Sequence, residues 1–483
     1  MRAARMAFGI SNVGEDYVRT YERGKQRWIF AGLLTFSSLM LQGGWFDPRF
    51  DLPGANGLDA PATCVAVAGT NVFAAGTFQH AGEVAANHIA RWDGGHWYPL
   101  GSGIGGTVVQ MASRGEELFV IGAFTSAGDM PATNVAKWNG AVWSGLGGGL
   151  SGPAMAVATS AHYVWVARTV ETNFVISRWD GTSWADVARG NFGYGSISTI
   201  LALDDSIVVG GSFWGIDGTE VNNVARWDGT RWNSLGGGLS GEREYIPNDY
   251  PFTTVRALLQ EGTNLYAAGS FTNAGGIKAM NVACWDGSRW SALGQGIPGF
   301  ASCITVIGPG VCVYPVTSLA VVGGELFAGG GFTVGDGTSR GYLAKWDGTT
   351  WTNVVEGVWT IDTGAPGLAW WDPLHVWALA SCQNDLYVAG NFGTIAGLPS
   401  YGFALWHQGN PPALRLGLKD GGLVLSWPRQ FQYATVEFAG SLASPLWRPV
   451  ADIKVESSNT STNDVEAAIT PPGLQAFYRL RLQ

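Results

Sequence analysis

Between residues 254 and 294 apolar residues alternate with small or polar ones in four short runs, TVRALLQ, NLYAAGSF, NVACW and RWSALG. Glycine, asparagine and aspartate stand between the runs. Alternation with period two marks a half-buried strand, and the intervening residues are those that tight turns take. The stretch is therefore expected to form four antiparallel strands. The pattern then recurs along the chain. Its tail, Trp-Asp-Gly-x-x-Trp, begins at Trp92, Trp138 (with Asn139 in place of Asp), Trp179, Trp227, Trp285 and Trp346, and a degenerate copy surrounds Trp406. Its head, Gly-x-Phe, ends at Phe78, Phe124, Phe213, Phe271, Phe332 and Phe392, and the third copy lacks it. Four-stranded units repeated seven times predict an all-β fold, a seven-bladed β-propeller, because one twisted sheet cannot bury both of its faces alone.

The turn inside the tail can be read residue by residue. If the two tryptophans face each other, the pairs are Trp92–Trp97, Trp138–Trp143, Trp227–Trp232, Trp285–Trp290 and Trp346–Trp351, and each two-residue loop opens with glycine. Glycine first is type II′ chemistry, since that position needs a positive φ. The strict repetition of the tryptophans points to packing between blades, and that of the aspartates to turn capping. Asn134, Asn223 and Asn281, each four residues before a first tryptophan, are read as loop-to-backbone hydrogen bonders. The seventh copy runs into HQGNPPA without a fourth strand, and Trp45–Leu52 is expected to supply it.

The full phrase, Gly-x-Phe-Thr-x-Ala-Gly-Gly…Asn-Val-Ala-x-Trp-Asp-Gly-x-x-Trp…Leu-Gly-x-Gly, resembles the propeller repeats of secreted bacterial proteins. It is also similar to galactose-oxidase/kelch-type propellers and to the ectodomains of fungal cortical marker proteins. The resemblance covers residues 45–410 and implies a fold rather than an activity. Residues 411–483 carry alternating strands, LSWP and a terminal FYRL. They are the length of one small β-sandwich. They resemble the fibronectin-like C-terminal module of secreted verrucomicrobial and planctomycete proteins, which implies attachment or spacing.

Charge and composition narrow the partners. The chain holds 71 Gly and 23 Trp but only 28 Lys+Arg, with a formal net charge of −9. This balance, with no basic run, argues against nucleic acid as a partner. Arg23, Lys25 and Arg27 precede the apolar stretch Trp28–Leu41. That order is the order of an export signal, so residues 1–44 are read as a signal peptide or N-terminal anchor, the mature chain as having no membrane span, and the protein as secreted or cell-surface. Five cysteines cannot make a complete disulfide framework, and Cys303 with Cys312 is the one pair expected to bridge.

No nucleophile elbow, zinc-protease, P-loop or CxxC motif is present, and no cofactor or metal is expected. What stands outside the repeat is three long crossovers, Glu242–Thr253, Pro298–Pro315 and Glu356–His375. Each joins a fourth strand to the next first strand, so all three load one face of blades 4–7. They hold Tyr245, Tyr250, Trp359, Trp370, Trp371, Asp372 and His375. Aromatics on long loops are the sites where surfaces bind. The expected function is non-catalytic binding of a glycan or extracellular protein through these loops. A glycan hydrolase or lyase, and a surface protein without a discrete ligand, are the alternatives.

Overall fold

The computed structural model describes residues 15–22, 25–33, 44–50, 56–190, 195–241, 253–299, 302–304, 311–313, 315–334, 339–354, 375–396 and 398–409, and the strands within 415–481. The chain is all-β, and among the described residues the one helical element is the 3-10 turn Pro48–Phe50. It divides into two compact units, residues 46–408 and residues 1–45 with 409–483.

In the larger unit each copy of the phrase becomes one antiparallel sheet. The fifth shows how. Thr254–Glu261, Asn264–Ser270, Val282–Trp285 and Trp290–Ala292 pair in that order, matching the four runs in the sequence. The first strands of the sheets are Ala62–Ala68, Ile104–Arg114, Ala154–Thr159, Ser196–Leu203, Thr254–Glu261, Val316–Val322 and His375–Cys382. Each packs against the first strand of the next sheet, and the last packs against Ala62–Ala68. The arrangement is propeller-like, with these first strands innermost.

The tryptophan pairs sit across the hairpins in the expected register, Trp92 opposite Trp97 and Trp285 opposite Trp290. Their ring centroids lie 5.2 and 5.4 Å apart. The glycine after each repeated aspartate, and after Asn139, has positive φ, from 97° at Gly140 to 100° at Gly181. The closure differs in detail from a simple type II′ turn. The Asp228 carboxylate accepts from the amides of Thr230 and Arg231, each at 2.9 Å, so the side chain ties the loop. Hydrogen bonds from the Thr230 hydroxyl and those amides hold the exposed Asp228 carboxyl well below the ordinary carboxylate range.

In the second, third and fifth sheets the second tryptophan of the pair reaches the preceding sheet. The Trp143 indole N–H donates to the Leu100 carbonyl at 2.7 Å, Trp184 to Leu146 at 3.0 Å and Trp290 to Leu235 at 2.8 Å. The first tryptophan of the fifth sheet covers Gly236, where a Cβ would collide with the Trp285 ring. The glycine-rich tail of one sheet is thus the seat for the tryptophans of the next.

Asn134, Asn223 and Asn281 have φ of 63–64°, the left-handed region that asparagine tolerates better than most residues. The buried Asn281 amide donates to the carbonyls of Ile297 and Gly299 and accepts from the Phe271 amide. Asn281→Ala is expected to cost about 2 kcal/mol or more, from left-handed strain and lost hydrogen bonds. Asn281→Gly, which relieves the strain, should melt between the alanine variant and wild type. Equal melting temperatures for the two variants would show that backbone strain contributes nothing.

Sheet seven is ordered Gly44–Phe46, Phe403–Gln408, Asp385–Asn391, His375–Cys382. The strand is shorter than the expected Trp45–Leu52, because the chain turns at Pro48–Phe50 and buries Phe50 against Trp92 and Phe403. Asp47 follows the strand. It is 1% exposed, and its amide donates to the Leu405 carbonyl at 2.8 Å. Its carboxylate accepts from Arg49 Nη2 at 2.6 Å and lies 3.2 Å from His407 Nε2. His407 Nδ1 lies 2.6 Å from Asp385. Arg49 Nη1 donates to the Gly94 carbonyl in the first sheet's turn at 2.8 Å.

The smaller unit holds two sheets. One orders Glu15–Glu22, Lys25–Leu33, Gln475–Arg481, Thr435–Ala439 and Arg448–Pro449, and the other Arg415–Lys419, Gly422–Pro428, Asp464–Ile469 and Lys454–Glu456. Lys25–Leu33, which includes the start of the apolar stretch read as an export signal, is a strand parallel to Gln475–Arg481, and residues 34–41 lie outside the described residues.

Candidate functional site

Every innermost strand is interrupted at an equivalent place, and that of the second sheet also between Ile104 and Gly106. Pairing with its neighbour skips Thr63, Val109, Met155, Ser198, Arg256, Thr317 and Trp377, one residue in each of the seven sheets. A skipped residue in an antiparallel pair is a β-bulge, which locally bends the strand and re-aims its side chain. All seven line a single cavity of about 490 Å³, whose lining among the described residues comes from the seven innermost strands. The ladder places no demand on a bulged residue, and the side chains differ from sheet to sheet where the rest of the repeat is uniform.

Part of this wall holds the sheets together. Thr317 Oγ1 donates to the Val376 carbonyl of the next sheet at 2.7 Å, and Ser318 Oγ accepts from the Leu379 amide at 2.9 Å. Gln110 Oε1 accepts from the Val157 amide of the third sheet at 2.7 Å. The Cys64 thiol is pushed up to about 12 by burial, so it stays protonated and is no nucleophile at neutral pH.

Arg256, His375 and Trp377 are of another kind. Among the described residues lining the cavity, Arg256 is the one with a formal charge. His375 is 6% exposed, and its Nδ1 has no hydrogen-bond partner among the described residues. The Trp377 Nε1 is buried without a partner in the same way. The two rings meet edge to face with centroids 6.1 Å apart. Burial, and then the positive charge of Arg256, depress the His375 pKa to about 3, so the imidazole is neutral across the physiological range. The trio offers one fixed positive charge, an indole donor, and an imidazole with one donor and one acceptor nitrogen.

Of the residues singled out from sequence, His375 is placed on this wall. Tyr245, Tyr250, Trp359, Trp370, Trp371 and Asp372 lie outside the described residues. Their crossovers nevertheless lead by chain connectivity into the innermost strands of sheets five, six and seven, a few residues before Arg256, Thr317 and Trp377. The repeated tryptophans belong to the blade contacts. Cys303 and Cys312 are direct register partners in the hairpin Ser302–Ile304 and Val311–Val313, while Cys64, Cys284 and Cys382 are free thiols. No cluster of three or more His, Cys, Asp or Glu side chains able to hold a metal occurs among the described residues.

Sequence reading missed Arg256, Trp377 and the bulge positions as a set. Their signal is a variable residue sandwiched in an otherwise regular strand: A-T-C-V, A-M-A-V, I-S-T-I, V-R-A-L, V-T-S-L and V-W-A-L align at the bulge.

No family model matches the chain. No curated protein matches it either. Among solved structures it is similar to the computationally designed Ika8 protein, at 16% identity and a TM-score of 0.40, covering 78% of this chain and 96% of that one. It is similar to the GH74 enzyme of Niastella koreensis, at 12% identity and a TM-score of 0.45, covering 84% and 60%. A chain of a nidogen/laminin complex matches at 12% identity and a TM-score of 0.31, covering 56% and 86%. None of these likenesses bears on what this chain binds.

Proposed function

We propose that the chain is an exported seven-bladed β-propeller, with a fibronectin-like β-sandwich module, that binds a glycan at the mouth of its central cavity. The observation that carries this reading is the convergence of seven bulged side chains on one cavity. There His375 and Trp377 keep buried polar atoms without a partner among the described residues. Indoles in the blade contacts, Trp232 and Trp351 among them, also lack a partner among the described residues, so what distinguishes His375 and Trp377 is that they line the cavity, where a polar ligand can supply the missing bonds. The lining mixes one indole and one imidazole with aliphatic and hydroxyl side chains, and 490 Å³ falls within the usual range for a small-molecule pocket. The crossovers at 242–253, 298–315 and 356–375 lead by chain connectivity into the innermost strands, and the last of them carries Trp370 and Trp371 in sequence. The basic-then-apolar order of residues 23–41 supports export. No helix among the described residues is long and apolar enough to cross a membrane.

The test is a glycan-array screen with turnover assays on the same purified protein. Saturable binding without product is expected. Trp377→Ala, Trp370→Ala and Trp371→Ala should each weaken it by roughly 1–3 kcal/mol, the range of a lost aromatic hot spot. Product formation would instead favour the hydrolase or lyase reading. Binding that survives all three substitutions would place the site elsewhere.

A further inference from the structure

We propose that a groove between the fourth and fifth sheets, at the end of the ring where the Trp-Asp-Gly hairpins turn, is a second saccharide site that takes a neutral pyranose. It shares no residue with the central cavity and does not rest on the reading of that cavity.

Several departures from the repeat coincide there. In sheets one, two, six and seven the residue before the first tryptophan is tied to the residue that opens the second strand. Arg91 donates to Asn71 at 2.8 Å, Lys137 to Glu117 at 2.7 Å and Lys345 to Glu325 at 2.9 Å, and His407 lies 2.6 Å from Asp385. In sheet three Arg178 lies over the Tyr163 ring instead. The fourth sheet has Ser206 in the partner's place, and its hydroxyl donates to the Leu203 carbonyl at 2.9 Å. Arg226 is left exposed, with no hydrogen bond, ion pair or ring contact among the described residues. The turn before Ser206 departs as well. Its first residue is glycine in sheets one, two, five and six, at φ of 56–60°, and Asp204 here, at 53°. Glycine adopts this region at less cost than aspartate. The Asp204 carboxylate has no partner among the described residues. In sheets one and six a side chain of the next sheet packs on that turn, Glu116 at Gly69 and Gln408 at Gly323. At the fourth sheet a groove of about 520 Å³ remains, within the range of small-molecule sites.

The lining selects the ligand. Arg226 and Asp204 both stand on it, so among the described residues its formal charges cancel. The sum favours neither an acid nor a base, and a neutral ligand with many hydroxyls satisfies both groups. The guanidinium fork donates to two neighbouring oxygens, and the carboxylate accepts from a hydroxyl. Gln260 Nε2 donates to the Gly262 carbonyl at 2.9 Å, which steadies the amide and leaves its oxygen as an acceptor. The Thr263 hydroxyl adds a donor and an acceptor. Trp285 is half-buried and also lines the groove, so its indole supplies apolar surface for the C–H face of a pyranose.

The experiment titrates cellotriose, xylotriose and mannotriose calorimetrically into the full chain, with tri-galacturonate beside them. At least one neutral trisaccharide should bind saturably and more tightly than tri-galacturonate. Arg226→Ala should weaken that binding about tenfold or more. Ser206→Glu gives Arg226 the kind of partner that Glu117 gives Lys137, and it should weaken binding as much. Both variants should melt no lower than wild type. If Ser206→Glu fails to fold, Thr263→Ala, at an exposed position, takes its place. A neutral trisaccharide that binds alike in wild type, Arg226→Ala and Ser206→Glu overturns the groove. If its binding falls in Trp377→Ala instead, the cavity reading stands without the groove. Binding that needs Arg226 and not Trp377 upholds the groove whatever becomes of the cavity. Tighter binding of tri-galacturonate that Arg226→Ala removes overturns the assignment to neutral sugars, and no binding by any of the four overturns the site.

Discussion

Asp47→Ala is expected to lower the stability of the larger unit by about 3–5 kcal/mol, the usual cost of removing one partner from a buried ion pair. Asp47 stands where the incoming segment meets the last sheet. Its carboxylate faces Arg49 on one side and His407 on the other, and Arg49 continues to the Gly94 carbonyl in the first sheet. Removing it takes the carboxylate from between a guanidinium and an imidazolium at the joint between first and last sheets, leaving Arg49 on the Gly94 carbonyl and His407 on Asp385. Burial alone would raise the Asp47 pKa, but the hydrogen bond from His407 and the charge of Arg49 outweigh it and bring it to about 2. Burial would lower the His407 pKa, but hydrogen bonds to Asp385 and Asp47 outweigh it and raise it to about 9. The His407 contribution is fully present below its unfolded value of 6.5 and is lost as pH rises toward 9. The Asp47 contribution is fully present above 3.8 and is lost as pH falls toward 2. Melting temperature should therefore be flat between about pH 4 and 6.5 and decline from 6.5 to 9. In Asp47→Ala the alkaline decline should be shallower, since His407 keeps only Asp385. Chemical denaturation at pH 6 and melting scans across pH measure both. A variant as stable as wild type would show that the joint is held by the strand pairing alone.

Trp290→Ala should be comparably damaging, at about 3–5 kcal/mol, the range for removing a buried tryptophan. Trp290 is 5% exposed and packs at 5.4 Å against Trp285. Its indole N–H crosses to the Leu235 carbonyl of the preceding sheet. Trp290→Phe separates the two roles. It keeps most of the packing and leaves the Leu235 carbonyl unpaired, so roughly 1–3 kcal/mol is expected. Trp227→Ala should cost less than Trp290→Ala, because Trp227 is only half-buried. The ordering Trp290→Ala, then Trp290→Phe, in urea midpoints is the check. A Phe variant as unstable as the Ala variant would mean that the bond between sheets matters more than the ring.

The framework was legible because its causes are local. Glycine at positive φ, aspartate closing the turn and tryptophan opposite tryptophan are each decided within six residues, so TVRALLQ through RWSALG could be parsed strand by strand. The joint at Asp47 was legible in outline, from a seventh copy lacking its last strand. Its chemistry was not, because Asp47 and His407 stand 360 positions apart in the chain. The cavity wall was hidden for a different reason. A bulge is a property of how two strands pair, and Arg256 in TVRALLQ looks like an ordinary outward polar residue under a period-two reading. His375 was singled out as the end of a long crossover. In the structure it opens the innermost strand of the seventh sheet and lies buried beside Trp377.

The bulges also separate what specifies the scaffold from what specifies the site. Register, turns and blade contacts are written in residues that most copies repeat, while each sheet contributes to the cavity a side chain that its own ladder skips. With twenty choices at each, such positions form a combinatorial surface that can be rewritten one residue at a time. Met155 could become a second cation, or Ser198 an acid, without shifting a strand. The same ring of sheets could in this way turn toward a different ligand by a handful of exchanges, much as a lock is recut by changing its pins and leaving its barrel alone.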